Sequence, residues 1–224
     1  MSDKKKVAVI LSGCGVYDGS EIHEATLTLL ALDMHGAKAV AAAPDIVQAK
    51  VVNHAIGKEM PGENRNVLIE SARIARGDIR QVSELDVDEL DAAILPGGFG
   101  AAINLSDFAT AGADVRVERT VSDFLGRMHL AKKPIAALCI APPILARVLK
   151  DAGVEGAKLT IGNDPSAAAG INAIGQEHVA CPADSFVADQ DNLIVSCPCY
   201  MLAEGIAELW KGIEATVVRL LEMV

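Results

Sequence analysis

Short apolar runs alternate along the chain with longer segments whose apolar residues recur at helical spacing. The short runs predict buried strands at residues 7–11, 37–43, 91–95 and 134–138, and the longer segments predict helices at residues 22–34, 65–76, 115–130, 141–149 and 201–221. Residues 186–188 and 193–195 flank a polar segment and predict a β-hairpin. Strands that are apolar on both faces and alternate with helices indicate a mostly parallel sheet covered by helices, an α/β doubly wound fold.

The bulk composition narrows the class of protein. With 224 residues and 51% hydrophobic content, the chain is expected to form a single domain, residues 1–224, around a large core. A net charge of −10 argues against a nucleic-acid surface, which needs clustered Lys and Arg. No segment resembles a signal peptide or a membrane helix, so we expect a cytoplasmic protein without membrane contact. Five cysteines, an odd count, agree with a reducing compartment.

Three unusual segments each follow the end of a predicted strand. They are the loop at residues 12–24, the Pro-Gly-Gly-Phe-Gly segment at residues 96–100, and the segment at residues 139–141. In an open parallel sheet, the loops at the carboxyl ends of the strands converge on the ligand site. The sequence therefore predicts that these three segments meet.

Cys139 stands where a predicted strand turns directly into a helix. Such a corner strains the backbone and requires small residues two positions before and after it, which Ala137 and Ala141 supply. The amino-terminal end of the following helix is expected to favour the thiolate over the thiol. These features favour a nucleophilic cysteine, and the alternative is a small apolar residue that fills the end of a strand.

The glycines at positions 97 and 98 allow the backbone to turn its amides outward, as an oxyanion hole requires. A phosphate cradle is one alternative, but this loop has no Lys or Arg and lacks the P-loop pattern. An ordinary turn is the other alternative. The combination with Cys139 favours the oxyanion hole.

The first loop carries further candidate side chains. Glu21 and Glu24 lie in the opening turn of a predicted helix, where capping is the default role, but a carboxyl buried near a thiol can instead exchange protons with a substrate. His23 either orients a substrate or is solvated. Cys14, between two glycines, either lines the same pocket, acts there as a resolving thiol, or is packed. The other cysteines lack the paired spacing of zinc sites, so we expect no metal.

Five stretches of the sequence carry a resemblance to a known family: VAVILSGCGVYDGSEIHEA, NVLIESARIARG, LPGGFGAAINLSDFA, CIAPPIL and LTIG. They resemble the ThiJ/PfpI superfamily of class I glutamine amidotransferase-like proteins. The ElbB group, described as isoprenoid-biosynthesis or glyoxalase III-like proteins, is the most similar. The resemblance covers nearly the whole chain and implies a flavodoxin-like three-layer sandwich with a nucleophile elbow.

The resemblance also implies a catalytic pair. Cys139 corresponds to the elbow cysteine of the family. Glu24, twelve residues before Gly36, corresponds to the glutamate that the family holds beside that cysteine. Glu21 lies one helical turn earlier and is the alternative, because this group has extra residues between the first strand and the helix.

Gly97 and Gly98 match the family's oxyanion-binding glycines, and the amide of Ile140 is the implied second donor. Two departures argue against peptide or glutamine hydrolysis. Protease-like members have a histidine where this chain has Ile140, and the amidotransferase His-x-Glu pair is replaced by the reversed pair at 177–178.

The resemblance implies glyoxalase III-like chemistry that uses no cofactor, metal, nucleotide or glutathione. The Cys139 thiolate would add to the aldehyde carbon of glyoxal or a related 2-oxoaldehyde, and Glu24 would relay a proton to give a 2-hydroxy acid such as glycolate. The expected partners are a small-molecule aldehyde, or a glycated compound if the protein is a deglycase, and a second copy of the chain in a homodimer. The alternatives are a redox-responsive regulatory protein and an auxiliary factor in isoprenoid biosynthesis, both without turnover.

Overall fold

The structure is a computed structural model and describes residues 4–224. Within that range the strands are Lys6–Ile10 (β1), Lys38–Ala43 (β2), Val52–Asn53 (β3), Lys58–Glu59 (β4), Arg80–Gln81 (β5), Ala92–Leu95 (β6), Ile135–Leu138 (β7), Lys158–Leu159 (β8), Glu177–His178 (β9), Val187–Asp189 (β10) and Ile194–Cys197 (β11). The α-helices are Ile22–Met34 (α1), Val67–Ile74 (α2), Phe99–Ile103 (α3), Phe108–Ala111 (α4), Arg119–Leu130 (α5), Pro142–Asp151 (α6), Pro165–Ile174 (α7) and Ile206–Glu222 (α8). None of these helices, within residues 4–224, is both long and apolar enough to span a bilayer.

One sheet organises the fold. It contains seven strands in the order β10-β11-β7-β6-β1-β2-β5. Every neighbouring pair is parallel except β10 and β11, which form the predicted antiparallel hairpin. The predicted α/β fold with a mostly parallel sheet is confirmed. Because β7, β6 and β1 are neighbours, the three loops singled out in the sequence leave the sheet side by side.

Helices cover both faces of this sheet because successive side chains of a strand point to opposite faces. Leu95 and Ile135 pack in a core cluster with residues of α5 and α6. Ile94 and Leu138, which point to the opposite face of the same two strands, pack in a second cluster with residues of α1 and α8. The central strands are therefore buried on both sides, which explains their uninterrupted apolar sequence.

Several element boundaries differ from the apolar pattern for local reasons. The helix predicted at 115–130 begins at Arg119, because the side chain of Glu118 caps its first turn. The last helix begins at Ile206 rather than at residue 201, because Cys199–Met201 form a 3₁₀ turn. Apolar periodicity also misses α3, α4 and α7, which are short or rich in alanine.

Candidate active site

Cys139 occupies the sharp corner between β7 and α6. Its backbone is left-handed, with φ of +57°, a conformation that strains a residue with a Cβ atom. Ala137 and Ala141, two positions to either side, are fully buried, so larger side chains would not fit there. The predicted elbow geometry is therefore present, and Cys139 as a whole residue is 7% exposed.

The carboxyl group of Glu24 lies beside this thiol. Glu24 is fully buried, and its side chain hydrogen-bonds to the Cys139 thiol. Its Oε2 accepts a hydrogen bond from the Gly97 amide at 2.9 Å, and its Oε1 accepts one from the Tyr200 amide at 3.3 Å. Backbone donors on two different loops thus fix the carboxyl group against the sulfur.

Glu21 caps a helix instead of contacting the thiol. Its Oε2 accepts a hydrogen bond from the Glu24 amide at 2.7 Å, which makes it the N-cap of α1. Its own amide donates to the carbonyl oxygen of Gly97 at 2.9 Å, which ties the first loop to the glycine loop. Of the two candidate carboxyls, Glu24 is the one at the thiol and Glu21 holds the helix that carries it.

The absence of side chains at positions 97 and 98 allows this close approach. A Cβ atom on Gly97 would lie 2.4 Å from the Cys139 Cβ and 2.8 Å from Glu24 Oε2. A Cβ atom on Gly98, where φ is +93°, would lie 2.2 Å from the Glu21 backbone nitrogen. Both contacts are far below van der Waals distance, so the loop packs in this way only with glycine.

Gly98→Ala is therefore expected to destabilise the protein by about 2–5 kcal/mol, because the added Cβ meets backbone atoms and φ is left-handed. Urea unfolding measures the change. Gly126→Ala in α5 is the matched control, because nothing lies within 4 Å of its added Cβ and the helix gains about 0.5–1 kcal/mol. Equal unfolding midpoints for the two variants would contradict this close packing of the glycine loop.

The electrostatics of the pair differ from the expectation for an activated thiol. Burial raises the pKa of Cys139 well above its usual value, and the charge of Glu24 raises it further. The amides of Gly98 and Ile140 act in the opposite direction, by donating hydrogen bonds that stabilise the thiolate. The expectation that the helix end favours the thiolate of Cys139 over the thiol is therefore wrong for the resting site.

Two prolines explain why the helix end contributes so little. Pro142 and Pro143 occupy the first positions of α6 and have no N–H group to offer to an anion. The amide of Ala141 is already bonded to the carbonyl oxygen of Leu138. Of the amides at the corner, this leaves that of Ile140 for the sulfur.

Glu24 supplies what the helix end does not. Burial raises its pKa from 4.5 to about 7, and the charge of Glu21 contributes to the same shift. Near neutral pH the carboxyl therefore exists in both protonation states. It can accept the proton of the Cys139 thiol and later return it, as a general acid–base requires.

The structure separates the other predicted site residues. His23 is exposed, and its Nδ1 lies 2.8 Å from the Tyr200 hydroxyl, so it contacts the rim of the site rather than the sulfur. Cys14 is half-buried beside Glu70 and Arg73 of α2, and burial raises its pKa. The structure thus places Cys14 in surroundings different from those of Cys139.

Sequence reasoning missed three residues that converge on the site. Tyr200 binds the Glu24 carboxyl through its amide, and the buried thiols of Cys199 and Cys197 lie one and three residues before it. They reach the site because β11 lies next to β7, where the Cys139 amide donates to the Cys197 carbonyl oxygen at 2.9 Å. The only signal in the sequence is a Cys-Pro-Cys motif at the end of a predicted strand.

All five cysteines carry free thiols. Within residues 4–224, no group of three or more His, Cys, Asp or Glu side chains is arranged to hold a metal ion. The Cys-Pro-Cys segment therefore lacks the further side chains that would complete a metal site.

The doubly wound, mostly parallel sheet of this chain is the fold of proteins of the DJ-1/ThiJ/PfpI class. Solved structures of that class share the fold: DJ-1beta of Drosophila melanogaster has a TM-score of 0.55 with 19% identity over 98% of this chain and 95% of its own. A ThiJ/PfpI domain protein of Brachyspira murdochii has a TM-score of 0.57 with 16% identity over 98% of both chains.

Relatives at higher identity narrow the family. The ES1 protein homolog of Rattus norvegicus is 42% identical over 98% of this chain and 84% of its own length. The human glutamine amidotransferase-like class 1 domain-containing protein 3 is 43% identical over 97% of this chain and 83% of its own. The crystal structure of an isoprenoid biosynthesis protein with amidotransferase-like domain from Ehrlichia chaffeensis has a TM-score of 0.90, with 36% identity over 98% of this chain and 100% of its own. No protein-family model matches the chain. The chain belongs to the glutamine amidotransferase-like class 1 family that includes the ES1 homologues.

Proposed function

We propose that this chain is a cofactor-independent glyoxalase that converts glyoxal or a related 2-oxoaldehyde into a 2-hydroxy acid. The observation that carries the proposal is the hydrogen-bonded pair of Cys139 and Glu24, set against the amides of Gly98 and Ile140. The pair provides a nucleophile and a proton carrier, and the amides provide donors for a developing oxyanion.

The first step transfers the thiol proton to the Glu24 carboxylate as the Cys139 sulfur bonds to the aldehyde carbon. The former carbonyl oxygen takes the negative charge, and the amides of Gly98 and Ile140 stabilise it until the Glu24 carboxyl returns its proton, which gives a thiohemiacetal. Glu24 then carries the C–H proton of the first substrate carbon to the second, while the hydroxyl proton on the first carbon moves to the oxygen of the second, which leaves a thioester on Cys139. Water hydrolyses that thioester, releasing the 2-hydroxy acid and restoring the thiol.

Access to the sulfur favours a small substrate. Only 7% of Cys139 is exposed, so a glycated protein side chain would require the loops to open, whereas a two- or three-carbon aldehyde would not. The absence of a histidine at position 140 supports the same choice, because hydrolysis of an amide needs a group to protonate the leaving amine. A 2-oxoaldehyde has no amine to expel.

The direct test follows ¹³C-labelled glyoxal by NMR with purified protein and without glutathione. Glycolate should accumulate in proportion to enzyme, and methylglyoxal should give lactate. If the wild type forms product no faster than the Cys139→Ala variant does, the proposal is wrong. Release of free amines from glycated peptides without glycolate formation would favour a deglycase instead.

The pH dependence of kcat/KM gives a second expected result. The rate should rise with pH through about 7, because the Glu24 carboxyl must be unprotonated to accept the thiol proton. A rate that falls across the same interval would contradict the assignment of Glu24 as the base. Rates measured at constant ionic strength across that interval decide between the two.

The location, partners and pathway of the protein are also proposals. We propose a cytoplasmic homodimer, although the rat and human relatives are named mitochondrial. Free thiols fit any reducing compartment, so fractionation of cells with an antibody to the chain is the deciding measurement. An auxiliary role in isoprenoid biosynthesis has only the name of the Ehrlichia protein in its favour.

A further inference from the structure

Two thiols that the aldehyde mechanism does not use lie in contact beside the active site. Cys197 ends β11, and Cys199 begins the 3₁₀ turn that follows it, with Pro198 between them. Their sulfur atoms are 3.6 Å apart, and the Cys199 thiol donates to the Cys197 sulfur. A disulfide bond is about 2.05 Å long, so a bond between them would require the sulfurs to approach by about 1.5 Å.

The same pair adjoins the elbow cysteine. In the parallel pairing of β11 with β7, the Cys139 amide donates to the Cys197 carbonyl oxygen at 2.9 Å, so Cys139 lies opposite the Cys-Pro-Cys segment. Neighbouring strands are about 4.8 Å apart, and this spacing is close to the distance of about 5.5–6 Å that separates the two Cα atoms of a disulfide. The Cys139 and Cys199 backbones are both left-handed, with φ of +57° and +49°.

The Glu24 carboxyl confirms this proximity from the other side. Its Oε2 accepts from Gly97 next to the Cys139 sulfur, and its Oε1 accepts from Tyr200, the residue after Cys199. Burial raises the pKa of Cys199, and its hydrogen bond to Cys197 and the charges of Cys197, Glu24 and Cys139 raise it further, so each of these groups is close enough to act on the Cys199 thiol.

Accessibility distinguishes the three thiols. Cys197 and Cys199 are fully buried, whereas Cys139 retains 7% exposure. An oxidant in solution therefore reaches Cys139 first. Oxidation of the buried pair then has to pass through Cys139.

We propose that Cys199 and Cys197 form a resolving pair that takes over the oxidation of Cys139 by hydroperoxides and ends as a Cys197–Cys199 disulfide. A hydroperoxide transfers one oxygen to the Cys139 sulfur, so that the O–O bond breaks and a sulfenic acid and water (or an alcohol) form. The Cys199 sulfur then attacks the Cys139 sulfur, and the sulfenic oxygen leaves as water. The Cys197 sulfur attacks that of Cys199, which forms the final disulfide and returns the Cys139 thiol.

The contact between the pair suits this order of events. The hydrogen bond from Cys199 lowers the pKa of Cys197 in the reduced site, so the Cys197 thiolate is in place to receive the Cys199 proton during the first attack. That proton then passes to the leaving hydroxide to form water, which leaves Cys197 as the thiolate for the second attack. The relay would prevent further oxidation of Cys139 to a sulfinic acid, which thiols cannot reduce.

To test the relay, the fully reduced protein is treated with a limited amount of hydrogen peroxide at about pH 8, where a larger fraction of the Cys139 thiol is ionised. Alkylation of the remaining thiols, intact mass and peptide mapping follow. Wild-type protein should lose two hydrogen atoms, with the disulfide mapped to Cys197 and Cys199 and reversed by dithiothreitol. Cys199→Ser should instead gain two oxygen atoms at Cys139, at least about tenfold faster than wild type. Cys197→Ser should stop at a Cys139–Cys199 disulfide.

Two controls make the result decisive. In Cys139→Ser the buried pair should stay reduced at the same dose, whereas a disulfide there would overturn the relay. Cys181→Ser removes a thiol with the same 7% exposure as Cys139 and should oxidise like wild type. Equal rates of sulfinic acid formation in wild type and in Cys199→Ser, with Cys199→Ala agreeing, would also overturn the proposal. Because these masses are measured without any aldehyde, the experiment tests the disulfide relay independently of the glyoxalase assignment.

Discussion

Replacing Cys139 with alanine is expected to lower kcat for glyoxal by roughly 10⁴-fold or more, because the covalent route ends with the loss of its nucleophile. Cys139→Ser is expected to be nearly as inactive. A hydroxyl is a far weaker nucleophile than a thiol, and no histidine follows at position 140 to assist it. Steady-state production of glycolate measures both variants.

Cys181→Ala is the matched control for this experiment, since Cys181 is buried to the same extent, with 7% exposure. It is expected to keep wild-type turnover, and thermal unfolding of all three variants shows whether each is folded. Substantial glycolate production by a folded Cys139→Ala protein would mean that the reaction uses another group. The glyoxalase mechanism would then be lost, although the family assignment would remain.

The sequence predicts the elbow and the glycine loop of the site because both features depend on short local patterns. A buried strand followed at once by a helix, with alanines around Cys139, predicts the elbow, and the glycines at 97 and 98 predict a loop that approaches another group closely. The order of strands supplied the rest. β1, β6 and β7 are neighbours in the sheet, so loops that are distant in sequence emerge together.

Other parts of the site depend on tertiary packing that a single sequence does not encode in any local pattern. The choice between Glu21 and Glu24 required the helix cap and the Gly97 hydrogen bond. Tyr200 and Cys199 join the site only because β11 lies against β7. The protonation state was predicted wrongly because a helix end was treated as a source of donors, whereas prolines fill its first turn.

Burial of Glu24 links activity to stability. A carboxyl held dry beside a thiol is useful as a base because its pKa lies near neutrality. The same burial makes its charged form unfavourable in the folded state, so the protein gives up stability in order to keep a poised base. A single substitution at Glu24 can therefore separate the two effects.

Glu24→Gln is expected to lower kcat/KM for glyoxal by about 10²–10⁴-fold, because glutamine cannot accept the thiol proton or carry it between the substrate carbons. The rise of kcat/KM through about pH 7 should disappear in this variant.

The same substitution should also change how the stability of the protein depends on pH. The folded wild type keeps the Glu24 proton up to about pH 7, while the unfolded chain releases it near 4.5. Wild-type stability therefore falls by about 3 kcal/mol as pH rises across that interval, and the variant should lack this decline.

Urea unfolding at several pH values between about 4.5 and 8 measures the slope, and Glu21→Gln is the matched control. Glu21 carries the neighbouring carboxyl but caps α1, so its amide variant is expected to lose at most about 1 kcal/mol and to keep most of the turnover. It should retain a pH-dependent decline that is smaller than that of the wild type, because the charge of Glu21 contributes to the raised pKa of Glu24. A wild-type stability that rises with pH across the interval would contradict the raised pKa of Glu24. Full activity in folded Glu24→Gln would instead assign the proton transfers to another group, for which the Tyr200 hydroxyl beside His23 would be the first to examine.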